Sequence, residues 1–195
     1  YCAASPATDG ERVIVSFGSA VHCYDLGGTE QWKRNDLGIQ KHIWGNASSP
    51  VIAGDRVFIF SRDGEQETMR CLALADGKEL WKESHEVPYS PSFAARKHGK
   101  GPKATPTVAG GRVFGLGIAG HVSAWDATTG RVLWRKDFAN EFKPASPEFG
   151  AAASPIVEGE TMIVHVGGKD GGALQAFDVA TGAVRWKWNG DGPGY

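Results

Sequence analysis

The 195-residue chain lacks long apolar runs, and none approaches the roughly 20 consecutive residues a membrane-spanning helix needs, so no helical span is expected. It also lacks apolar residues at helical spacing over any useful length, which argues against an α-helical core. Charge of one sign is missing. Twenty-one basic residues face 22 acidic ones for a net −1, so no electrostatic footprint for nucleic acid or an anionic surface is present. Cysteine is scarce: Cys2, Cys23 and Cys71 form an odd set without Cys-x-x-Cys, which fits neither a disulfide framework nor a thiolate zinc site. They read as small buried thiols. The six histidines include no His-Glu-x-x-His, and no Gly-x-Ser-x-Gly elbow occurs.

Glycine and proline are abundant, at 27 and 10 residues, and they break the apolar segments into short alternating runs such as Arg12-Val-Ile-Val-Ser-Phe17. Such runs bounded by turn residues read as strands, so the fold class is all-β. The chain then repeats itself. Gly28-Thr-Glu-Gln-Trp32, Gly77-Lys-Glu-Leu-Trp81, Gly130-Arg-Val-Leu-Trp134 and Gly182-Ala-Val-Arg-Trp186 place tryptophans 49, 53 and 52 residues apart. A second landmark precedes each: Ser5-Pro6, Ser49-Pro50, Thr105-Pro106 and Ser154-Pro155. A period of this size marks a repeat architecture of one supersecondary unit per copy.

Each unit has room for four short strands. They are expected at 4–8, 12–17, 20–25 and 30–34; at 49–53, 56–61, 69–74 and 79–83; at 104–109, 112–117, 121–126 and 131–136; and at 153–158, 161–166, 173–178 and 183–188. Asp126 and Asp178 with the following Thr-Gly suit a tight turn, since the carboxylate accepts from nearby amides and Gly130 and Gly182 adopt positive φ readily. The second unit has no such aspartate; Leu74 or Ala73 takes its place. Arg62-Asp-Gly-Glu-Gln-Glu67 reads as a six-residue charged turn. Gly167-Gly-Lys-Asp-Gly-Gly172 reads as a hairpin turn, because it lacks the ending of a phosphate loop. His22 and His121 are expected at equivalent repeat positions. Trp32, Trp81, Trp134 and Trp186 are expected to pack on the neighbouring unit, each burying about 200 Å², or ~5 kcal/mol gross as an upper bound.

The frames Ala124-Trp-Asp126-Ala-Thr-Thr-Gly130-Arg-Val-Leu-Trp134 and Ala176-Phe-Asp178-Val-Ala-Thr-Gly182-Ala-Val-Arg-Trp186 closely resemble the tryptophan-docking motif of the quinoprotein, or PQQ-like, β-propeller repeats. The resemblance implies four-stranded antiparallel blades, at about 4–47, 48–103, 104–152 and 153–195. Four blades are half of the eight-bladed ring usual in this family. The chain is then a fragment of a longer propeller, one of two copies that complete a ring, or four blades that close alone. The fragment is the favoured expectation, because an open half-ring exposes apolar end blades.

In such a fold the loops 35–47, 85–103 and 137–152 share one face with the middle-hairpin turns, and long loops are where function concentrates. This is the candidate binding face for a protein or small-molecule ligand. Its candidate residues are Trp44 as a platform, and Tyr89, Phe93, Arg96, Lys97 and His98 in the basic loop 85–103, read as an anion- or partner-binding lid. Phe138, Phe142 and Phe149 are expected to pack over the channel mouth. The favoured function is a non-catalytic scaffold, similar to the periplasmic scaffold of the outer-membrane β-barrel assembly machinery, which implies a bacterial, periplasmic or secreted location. The alternative is part of a PQQ- and Ca²⁺-dependent alcohol or sugar dehydrogenase. That resemblance would imply adjacent cysteines beside the cofactor, which this chain does not have, and no carboxylate stands out as a base.

Overall fold

The structure, a computed structural model, describes residues 4–17, 19–39, 47–141, 147–168 and 171–190. Cys2, Trp44 and Phe142 lie outside the described residues. Among the described residues, sixteen strands form four four-stranded sheets in which sequential strands pair antiparallel. The first blade holds β1 Ala7–Thr8, β2 Arg12–Phe17, β3 Ala20–Asp25 and β4 Glu30–Arg34. The second holds β5 Val51–Ala53, β6 Arg56–Asp63, β7 Gln66–Ala73 and β8 Glu79–Glu86. The third holds β9 Thr107–Ala109, β10 Arg112–Leu116, β11 His121–Asp126 and β12 Val132–Asp137. The fourth holds β13 Ile156–Glu158, β14 Thr161–Val166, β15 Ala173–Asp178 and β16 Val184–Trp188. A five-residue 3₁₀ turn, Ala94–His98, interrupts the longest connection.

The apolar residues gather between blades, since both faces of each sheet alternate with period two and both need a neighbour. Ile14, Val21 and Cys23 of the first blade meet Val57, Ile59 and Leu72 of the second. Phe58, Phe60 and Met69 meet Val113 and Trp125 across the next seam. Phe114, Leu116 and Trp134 meet Met162, Val164 and Phe177 across the last.

One detail repeats in every blade. The residues directly across from the four tryptophans are Cys23, Cys71, Ala124 and Ala176, each followed by a bulge that re-aims the outer strand. Among the described residues, the free thiols Cys23 and Cys71 are thus buried small residues at one repeat position. The same register decides the second blade's turn: Ala73, paired with Arg56, replaces the aspartate that Arg12 and Arg112 face in Asp25 and Asp126. It also corrects one expectation. His22 aligns with Ser123 and His121 with Ala20, so the two histidines occupy different repeat positions.

The indole of Trp32 lies against Gly77, where a methyl group would stand 2.7 Å from Cε3, and its Nε1 donates to Leu74 O at 2.8 Å. Trp81 repeats this with Gly130 and Ala127 O (3.1 Å), and Trp134 with Gly182 and Val179 O (3.0 Å). Trp186 is 43% exposed, and Trp188, Val184 and Ile156 of the same blade are also exposed. At the other end Gly28 has nothing within 4 Å of the position a methyl would take, and Leu26 is exposed.

The Ser/Thr-Pro landmark has its own role at the inner strands. Ser5 N donates to Ser49 Oγ (2.9 Å), Ser49 N to Thr105 Oγ1 (3.1 Å), and Thr105 N to Ser154 Oγ (3.0 Å). Each hydroxyl satisfies an amide that lies just before an inner strand, outside the sheet ladders. In the outer hairpins, Asp126 Oδ1 accepts from Thr128 N, Thr129 N and Thr129 Oγ1, and Asp178 Oδ1 from Ala180 N, Thr181 N and Thr181 Oγ1. Those bonds hold both carboxyls below their usual range; for Asp178 the Arg185 guanidinium is the largest cause.

Candidate functional site

The connection from the second to the third blade is tied down along its length. Ser92 Oγ donates to Glu148 O (3.0 Å) and accepts from Ala95 N, which starts the short 3₁₀ turn. His98 stands edge-on to Phe149 (5.0 Å), Lys103 lies over the same ring (5.9 Å), and Lys100 pairs with Glu65 (2.9 Å). Burial holds the Lys103 ammonium below its ordinary pKa.

Between this connection and the loop after β12 is a cavity of about 640 Å³. Its wall comes from Pro88–Ser90 and Ser92, from the β10–β11 turn at Ile118–Gly120 with His121, from residues 137–140, 147, 148, 150 and 151, and from Gly167. Gly150 makes the wall close: at φ +86° it brings the chain so near that a methyl group would overlap Ile118 and stand 3.0 Å from the Tyr89 hydroxyl. Ala151 N then donates to Ile118 O (2.9 Å). Among the described residues the lining carries Asp137 and Glu148 and no lysine or arginine.

Of the residues singled out from sequence, Tyr89 lines this cavity. Phe93 is 87% exposed with Arg96 stacked on it at 5.7 Å, Lys97 is exposed, and His98 contacts Phe149; these four stand outside the lining. Trp44 falls outside the described residues. Phe138 is buried against Phe177 in the seam between the third and fourth blades while also lining the cavity.

The sequence reading missed the residues beside the cavity. The expected six-residue charged turn is two residues long, Gly64–Glu65, because β6 and β7 continue to the pair Asp63 and Gln66. Arg62 and Glu67 are consequently cross-strand partners inside the protein, at 5% and 0% exposure. Glu67 pairs across the next ladder with His85, whose ring meets His121 of the third blade at 5.7 Å, and His121 Nε2 lies 3.4 Å from Asp137. Five titratable side chains thus run from the interior of the second blade to the cavity wall. Burial pushes the Glu67 carboxyl up to about 7 and the His85 imidazole down to about 4, and also lowers His121. Nearby, Glu83 Oε2 accepts from Trp125 Nε1 (2.8 Å) and Arg135 Nη2 (2.9 Å), which locks the seam below the row.

No three His, Cys, Asp or Glu side chains among the described residues gather where a metal ion could be held. Cys23 and Cys71 lie in different blades behind Trp32 and Trp81.

Comparison with known proteins gives three findings. The family model described as outer membrane protein assembly factor BamB matches residues 65–194. Outer membrane protein assembly factor BamB of Burkholderia pseudomallei is 24% identical over 160 residues, covering 82% of this chain and 37% of that protein. Two solved structures share the fold: BamB from Moraxella catarrhalis (TM-score 0.66, 18% identity, 95% of this chain and 47% of that one) and quinohemoprotein alcohol dehydrogenase from Comamonas testosteroni (TM-score 0.67, 18% identity, 98% and 35%). The chain spans about a third of the length of the curated BamB relatives it matches.

Proposed function

The chain belongs to the PQQ-repeat family described as outer membrane protein assembly factor BamB, and on that premise we propose that it is a non-catalytic β-propeller segment that binds a partner through its long-loop face. The observation that carries the reading is the cavity between the two long connections, whose wall combines the β10–β11 turn with the loops on either side. Concave sites with a few placed polar groups are where propeller-sized scaffolds bind segments or small ligands. Asp137 and Glu148 with the Tyr89 ring suit a segment carrying a basic side chain. The basic residues of loop 85–103 are engaged elsewhere in two cases, Lys100 with Glu65 and Lys103 over Phe149. Fold alone does not choose between scaffold and enzyme, so the site must. A periplasmic location and a protein partner follow from the same family reading, as does closure of the ring by further blades or a second copy.

The test is calorimetric titration with a short extended lysine-containing peptide and with its glutamate counterpart. Selective binding of the basic peptide, weakened about fivefold by Asp137→Asn (~1 kcal/mol for a half-exposed charge), is the expected result. Equal affinity for both peptides, or none, removes the cavity from the reading. Uptake of PQQ with Ca²⁺ and reduction of a dye by an alcohol would move the chain to the dehydrogenase class instead.

A further inference from the structure

Besides lacking the turn aspartate, the second blade departs from the repeat in its middle hairpin, whose paired strands run two residues further than in the first blade. Counting from the residues opposite the tryptophans, Glu67 stands where the third and fourth blades have Gly120 and Gly172. A carboxylate has replaced a glycine at the seam and is fully buried there. Its Oε1 accepts from Ile118 N at 2.8 Å, and its Oε2 has no hydrogen-bond partner. Gly117 makes room for it, since a side chain on that residue would occupy the carboxylate's position.

Ile118 is the relay. Its amide is held by Glu67, its carbonyl holds Ala151 N, and its side chain packs on Gly150 next to Tyr89. Ile118, Gly150, Ala151 and Tyr89 all line the cavity. From Glu67 to the far loop there are therefore two hydrogen bonds, both to backbone. We propose that Glu67 is a positioning residue of the cavity, and that gain or loss of its proton adjusts the wall formed by Ile118 and Ala151.

The physical basis is the difference between a charged and a neutral acceptor. An amide bound to a carboxylate makes a shorter and stronger hydrogen bond than one bound to a neutral carboxylic acid. The groups facing Glu67 set where the change falls. Arg62 on β6 stands 3.8 Å away with Nη1 unsatisfied, and it is itself held by Glu65, Gly64 O and Val87 O. His85 on β8 is its cross-strand partner, with both ring nitrogens buried and without partners. Glu83 lies on the same strand, His121 on β11 and Arg135 on β12 complete the surroundings, and the Arg135 charge favours ionisation. Burial opposes ionisation more strongly than these cations favour it, so the proton leaves around neutral pH. A carboxyl titrating there makes the wall responsive in a range where ordinary carboxylates are silent.

The inference concerns the cavity assigned above to ligand binding, and its test needs no ligand. Amide resonances of Ile118 and Ala151 are followed by two-dimensional NMR of the full chain between pH 5.5 and 8.5. Both are expected to move with one shared midpoint near 7, and both to stay flat in Glu67→Gln, which keeps the shape and removes the proton. If Glu67→Gln does not fold, His85→Gln and His121→Gln serve, because the shared midpoint must survive loss of either imidazole. A flat profile in the native chain, a profile abolished by the histidine variants, or movement of Ile118 without Ala151 would each overturn the proposal. Peptide binding can fail while this titration stands, which separates the two readings.

Discussion

Trp32 and Gly77 are two halves of one contact: the indole of one blade occupies the space that the next blade leaves by having no side chain. The accompanying bond from Nε1 to Leu74 O fixes the ring in its plane. The same pair recurs as Trp81 with Gly130 and Trp134 with Gly182. Glycine and tryptophan therefore co-occur in one short frame although each serves a different seam.

Trp134→Ala removes an indole buried between two blades together with its bond to Val179 O. A loss of about 3–5 kcal/mol is expected, as for other large buried aromatics. Trp186→Ala removes a half-exposed ring and should cost under about 1 kcal/mol. Urea denaturation of both variants gives the comparison. Equal midpoints would show that the indole–glycine contact holds nothing together.

Gly28 and Gly130 share positive φ, +86° and +75°, but only Gly130 has a tryptophan against it. Gly28→Ala is expected to cost about 1–2 kcal/mol through the backbone alone. Gly130→Ala adds a clash with Trp81, worth roughly a further 1–3 kcal/mol. Thermal unfolding measures the difference between the two, which isolates the contact from the shared strain.

The buried row makes acid stability depend on His85. Its folded pKa lies near 4, below the ordinary 6.5, so the unfolded chain binds more protons between those values. The contribution is fully present above pH 6.5 and is lost as pH falls toward 4. Glu67 acts in the opposite sense, since its raised pKa makes its contribution fade as pH rises from about 4.5 to 7. His85→Gln should thus flatten the acid limb by on the order of 2 kcal/mol relative to the native chain. Guanidinium titrations at pH 4.5 and 6.5 decide it; an unchanged gap between the two pH values would rule out the histidine.

The exposed Trp186 and the vacant side of Gly28 are complementary ends of the same contact. Light scattering behind a sizing column is expected to show association of the 20.8 kDa chain toward twice that mass as concentration rises. Gly28→Trp should block it by filling the vacant side. A mass that stays at one chain throughout would mean the ends do not recognise each other.

The architecture was legible because its signals are local. Gly130 and Trp134 lie four residues apart, and an alternating run such as Arg12–Phe17 declares its two faces by itself. The cavity was legible only in part. Tyr89 lines the cavity, while Arg96 and Lys97, which carry the charge cluster of the same loop, stand outside its lining. Arg62 and Glu67 read from sequence as the ends of a charged turn because they flank Asp-Gly. Their burial depends on the third blade covering them through Ile118 N, a contact between positions 67 and 118 that no local pattern encodes. The offset between His22 and His121 was hidden for a similar reason, since it follows from strand register and not from spacing.

The tryptophan bonds at Leu74, Ala127 and Val179 join residues 42, 46 and 45 positions apart, always forward along the chain. On a ribosome each indole therefore emerges well before the surface that will receive it. For the time taken to synthesise one more blade it remains an uncovered aromatic, open to a chaperone or to a neighbouring chain. Slowing elongation between blades would lengthen that interval, and swapping two codons could alter the yield of folded protein without altering the protein itself.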